Sequence, residues 1–99
     1  MNYLLDYMDE YQVERLKNVF SEVVIQVLIE DKASIIQILE KLKKYGIEDF
    51  FLSMVVNIKL FLCGVERAIS IIETKIKEIG QTGLEAYMYG YEVGSYVEG

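Results

Sequence analysis

There is no histidine in this chain, and no proline or tryptophan. Without histidine the commonest general base, the commonest zinc ligand and the usual partner of a catalytic serine or cysteine are all missing. Without proline, any break in a helix must come from glycine or from capping side chains. The single cysteine, Cys63, excludes an internal disulfide framework and fits a reducing, intracellular setting. It lies in an apolar stretch with no histidine to activate it, so it is expected to be buried and inert. No glycine-rich phosphate loop is present, because Gly80-Gln81-Thr82-Gly83 lacks the lysine and the following helix such a site needs. Acidic Asp6, Asp9 and Glu10 stand where a secretory leader would carry basic and then apolar residues. The most apolar window, Phe50 to Cys63, is interrupted by Asn57 and Lys59 and is shorter than the roughly 20 residues of a membrane span. These absences predict a chain with no enzymatic activity, no cofactor, no metal and no transmembrane helix.

What is present is an excess of apolar residues. Hydrophobic residues make up 53% of the 99 positions, and mean hydropathy is +0.22. One small domain has little interior to hide so many, so a partner is expected to cover the surplus. A second copy of the same chain is the simplest partner. Charge is unevenly placed. Residues 1–14 and 80–99 contain seven acids and no bases, while the ten bases and nine acids between them nearly cancel, so the net charge of −6 comes from the ends. Seven of the eight tyrosines lie in those same ends.

Periodicity predicts an all-α fold. A first helix is expected over about 3–29, where Val13, Leu16, Phe20, Val23 and Val27 repeat at alternating spacings of three and four. The β-branched run Val23 to Ile29 could be a strand on propensity. Helix is preferred because the same register passes through it. Asp31 is a plausible N-cap for a second helix from Lys32 to Lys44, with core residues Ile35, Ile38, Leu39 and Leu42. Gly46 suits the left-handed position that ends it. Glu48-Asp49 reads as the start of a third helix rather than a pair of catalytic acids.

That third helix is the strongest signal. Phe51, Val55, Ile58, Leu62, Val65, Ile69, Ile72, Ile76 and Ile79 form an uninterrupted apolar row at spacings of four and three. Such a heptad row predicts one long helix packed lengthwise against others. It would be about 45 Å long at 1.5 Å per residue. Gly64 marks either a bend or a close contact, and Gly80 the end. The row can be an intramolecular seam or the interface of an intertwined dimer. An elongated bundle completed across such a dimer combines both readings. Two regions follow: a helical domain, 1–79, and a Gly/Tyr-rich acidic tail, 80–99. In the tail Tyr87, Tyr89, Tyr91 and Val93 alternate as in a strand, while Tyr87 and Tyr91 also fit a helix; an extended or hairpin-like form is slightly favoured.

Tyr3, Tyr7 and Tyr11 recur every four residues and would share one helix face. With Tyr87, Tyr89 and Tyr91 they form a candidate partner surface, since tyrosine is enriched at interfaces. The competing possibility is that they cover the chain's own core. Lys41, Lys43 and Lys44 are the only basic cluster, at a helix C-terminus where cations match the dipole. In its length and its Tyr/Ile/Glu/Lys-rich composition the chain resembles the small proteins of filamentous viruses of thermoacidophilic archaea, the lipothrixvirus type. The resemblance is compositional, with no shared motif. It implies a thermostable viral protein of the host cytoplasm, and no functional residue is carried over from it. Low amide content points to a heat-adapted source as well. The expected function is a homodimeric, non-enzymatic protein–protein interaction or assembly module acting through its Tyr-rich acidic ends. The alternatives are a nucleic-acid-associated regulator using Lys41–Lys44, and a structural or membrane-proximal particle component using Phe50–Cys63. Neither nucleic acid nor membrane is the favoured partner.

Overall fold

The structure is a computed structural model and describes residues 1–90. Among these the chain is helical throughout, with no strand. A 3-10 turn, Asn2–Asp6, leads into α1 (Glu10–Val19), α2 (Glu22–Glu30), α3 (Lys32–Lys44), α4 (Phe50–Val56), α5 (Ile58–Leu62) and α6 (Val65–Tyr89).

The expected first helix is three pieces. Asp9 closes a capping box with Gln12, its carboxylate accepting from the Gln12 N–H at 2.8 Å while the Gln12 side chain accepts from the Asp9 N–H at 3.2 Å. This satisfies free donors at the start of α1 and stops the preceding turn from running into it. Ser21 caps α2 by accepting from the Val24 N–H at 3.4 Å. The run Val23 to Ile29 is helical, as the register indicates. Asp31 does separate α2 from α3, but its side chain makes no capping bond. α3 matches its expected span.

The expected third helix is also three pieces. A continuous helix of that length would exceed the longest dimension of the molecule, 38 Å. The first break is at Asn57, whose side-chain amide donates to the Tyr87 and Met88 carbonyls at 3.1 and 3.0 Å. The second is at Gly64, with φ of 100°, a conformation glycine enters without steric cost. α4 itself starts where Asp49 accepts from the Leu52 N–H at 2.9 Å.

The expected boundary at residue 80 is a turn inside the domain. Gly80 takes φ 70° and ψ −176°, which divides α6 into arms 65–79 and 81–89. The Lys75 ammonium lies 4.8 Å from the centre of the Tyr87 ring. In a straight helix those residues would be about 18 Å apart along the axis. The second arm therefore bends back toward the first, and residues 81–89 are helical rather than extended. The physical reason is burial, since Leu84, Ala86 and Met88 lie in the interior. Tyr91 and Val93, the rest of the alternating pattern, lie outside the described residues.

One continuous core forms within the single chain. It includes Leu4 and Leu16 from the N-terminal part, Leu28 from α2, Ile35, Ile38, Leu39 and Leu42 from α3, Met54 from α4, Ile72 and Met88 from α6. α3 and α4 pack against α6, and α1 against α4. The only buried polar residue among those described, Ser53, donates to the Asp49 carbonyl at 2.9 Å.

Candidate functional site

The heptad row does not coincide with the core. Of its nine residues only Ile72 is fully buried. Phe51, Val55, Ile58, Val65, Ile69 and Ile76 are half-buried, and Leu62 and Ile79 are exposed at 36% and 41%. The interior is filled instead by Phe50, Met54, Phe61 and Ala68, one position off the row, and by Leu60 between two of its members. Along the first arm of α6 the row therefore runs down a flank, leaving Val65, Ile69 and Ile76 partly uncovered beside Ile79. Ile69 lines a shallow groove with Glu66, Ser70, Glu73, Thr74 and Lys77.

The N-terminal tyrosines do not form one face. The break before α1 separates Tyr3 and Tyr7 from Tyr11. The Tyr3 hydroxyl donates to the Leu28 carbonyl at 2.6 Å, and Lys32 lies 6.0 Å from its ring centre. Its hydroxyl is pushed up to about 12 by burial and, second, by the negative charge of Asp31. The Tyr7 hydroxyl donates to the Glu40 carboxylate, and its ring meets Phe50 edge-on at 5.4 Å. Burial, this hydrogen bond and the charges of Glu40 and Asp6 push it to about 12 as well. Both tyrosines pin the N-terminal turn to α2, α3 and α4. Only Tyr11 stands out from the surface, 69% exposed, with the Arg15 guanidinium 5.9 Å from its ring centre.

At the other end Tyr87 and Tyr89 are half-buried. The Tyr89 hydroxyl accepts from the Glu48 and Asp49 N–H groups, both at 3.1 Å, just before α4. Tyr87 lies along a cleft of about 650 Å³ between the α4–α5 segment and α6. Val56, Ile58, Leu60 and Ile71 supply its apolar surface, and Asn57, Lys59, Cys63 and Arg67 its polar groups. No carboxylate lines it. Sequence reasoning misses this cleft because residues 56–71 read as one continuous helix and Tyr87 as part of an extended tail. The available signal was Asn57 and Lys59 interrupting an otherwise apolar run.

The lysine cluster is partly engaged. Lys41 pairs with Glu73 at 3.3 Å, and the ammonium groups of Lys41 and Lys44 lie 5.6 and 5.8 Å from the Tyr45 ring centre. Cys63 is half-buried, its thiol donating to the Leu60 carbonyl at 3.3 Å. Among the described residues no group of three or more cysteine or acidic side chains could hold a metal ion, and no helix is long and apolar enough to cross a membrane. No protein-family model, curated protein or solved structure matches the chain.

Proposed function

We propose that this protein is a non-enzymatic interaction module that works as a homodimer, paired along the flank of α6. The observation that carries this reading is a row of apolar side chains along the edge of the core, of which Val65 and Ile76 pack against it and Leu62, Ile69 and Ile79 are not part of it. Leu62, Val65, Ile69, Ile76 and Ile79 belong to one row, and each keeps part of its surface in water. Covering such a row removes apolar area at roughly 25 cal/mol per Å², which favours association. A two-fold pair sets the same face against itself, so one stripe serves both subunits. Glu66, Glu73 and Lys77, around the Ile69 groove, are placed to tune register and partner choice at its margin.

This reading moves the interface away from the Tyr-rich ends. Tyr3 and Tyr7 are spent inside the chain, which leaves Tyr11 as the exposed tyrosine of the N-terminal set. The test is mass in solution. Light scattering on a sizing column should give about 23 kDa, twice the 11.5 kDa of one chain. A monomer at every concentration tried would remove the reading. The nucleic-acid alternative predicts instead a duplex or single strand retained at low salt and released as salt rises. The pairing of Lys41 with Glu73 and the net charge of −6 weigh against it.

A further inference from the structure

We infer that the cleft between α4–α5 and α6 is a docking groove for the chain's own acidic segment, residues 91–99. This does not depend on dimerisation along α6. In a protein of net charge −6 the cleft is bordered by Lys59 and Arg67 and by no acid. Among the described residues neither cation has an ion-pair partner, since the pairs present are Lys17–Glu14 and Lys41–Glu73. The groove thus offers a fork of guanidinium donors and an ammonium beside an apolar wall. That combination suits a peptide alternating carboxylates with apolar or aromatic side chains.

Residues 91–99 have that chemistry. The segment reads Tyr-Glu-Val-Gly-Ser-Tyr-Val-Glu-Gly, with two acids and no base. The described chain reaches Gly90, where an added Cβ would stand 3.2 Å from a Val56 methyl, and Val56 lines the cleft. Nine residues can span up to about 30 Å, enough to run back past Ile71 and Arg67. Tethering gives the segment a local concentration in the millimolar range, so even a weak site would be filled. Glu92 and Glu98 supply the carboxylates for Lys59 and Arg67, and Val93, Tyr96 and Val97 the groups for Ile58, Leu60 and Ile71.

The test uses the full chain, isotope-labelled, in solution. Proton cross-relaxation is expected between Val93, Tyr96 or Val97 and the methyl groups of Ile58, Leu60 or Ile71. Neutralising either side should remove those cross-peaks, as Lys59→Gln/Arg67→Gln or as Glu92→Gln/Glu98→Gln, with helix content by circular dichroism unchanged. The acid-side pair keeps the test decisive if the cation-side pair affects folding. No such cross-peaks in the native chain, or cross-peaks that survive both neutralised pairs, overturns the proposal. Cross-peaks seen only between differently labelled chains in a mixed sample also overturn it, since the segment would then be donated by a second copy. Failure here leaves the dimer reading standing, because that is decided by mass alone.

Discussion

Tyr3 and Tyr7 tie the N-terminal turn to the rest of the molecule through single hydrogen bonds. Each exchanges water for one protein acceptor, and each stays protonated to about pH 12 in the folded state against about 10 when unfolded. The sign of the pH effect follows. Between these values the unfolded chain releases the phenolic protons while the folded chain holds them, so stability is full below pH 10 and falls as pH rises toward 12. Denaturant titrations across that window should show the fall, and it should flatten in Tyr3→Phe/Tyr7→Phe. At pH 7 Tyr3→Phe removes one hydrogen bond, worth about 1 kcal/mol, a loss of roughly 4–8 °C in thermal midpoint for a domain of this size. Asn57 offers a second case. Asn57→Ala strips the Tyr87 and Met88 carbonyls of their donor. It should cost about 1–3 kcal/mol by calorimetry, with helix content nearly retained.

At the scale of elements, the arms of α6 separate two roles that a heptad pattern merges. Ile72 is fully buried in the core, whereas Ile69, three residues earlier, lies half-buried on the flank. Ile72→Asp places a carboxylate where it can be neither hydrated nor paired, at a cost of several kcal/mol. It should unfold the chain, as circular dichroism would show directly. Ile69→Asp should leave a folded protein that sizes as a monomer, because the charge falls on the proposed interface instead. Glu78→Gln, exposed on the same arm and outside the Ile69 groove, should change stability by less than about 0.5 kcal/mol and leave the mass unaltered. Equal effects of Ile69→Asp and Ile72→Asp on folding would place the whole row in the core and remove the flank as an interface.

For the whole molecule, the arm 81–89 decides what the chain can lose. Leu84 and Met88 are fully buried, Ala86 nearly so, and Tyr89 meets the backbone just before α4. Truncation after Gly83 removes all of them. Loss of each large core side chain costs about 2–5 kcal/mol, and a domain of this size has only about 5–15 kcal/mol in total. That chain should aggregate or melt without a cooperative transition. Truncation after Tyr91 keeps every core residue named above and should preserve the transition to within a few degrees. Differential scanning calorimetry on the pair separates these outcomes, and equal loss from both would show that residues 92–99 are as structural as 84–91.

The helical class, the span of α3 and the stops at Gly46 and Gly80 could all be read from local chemistry. Apolar period, lysines at a C-terminus and glycine at a left-handed position act within a few residues. The capping box of Asp9 and Gln12 and the cap at Ser21 were equally local, but the continuous apolar register outweighed them. An apolar pattern reports which side chains avoid water, and it stays in phase when a helix breaks and resumes. Sequence could not show that Asn57 would leave its own helix to serve carbonyls 30 and 31 residues away. Nor could it show that the arm after Gly80 would bend back and bury Leu84 and Met88. Those choices depend on free energy shared between distant segments, and they turn a nominal 45 Å rod into a molecule 38 Å long. They also set which face of the apolar row meets the core and which is left to meet a partner.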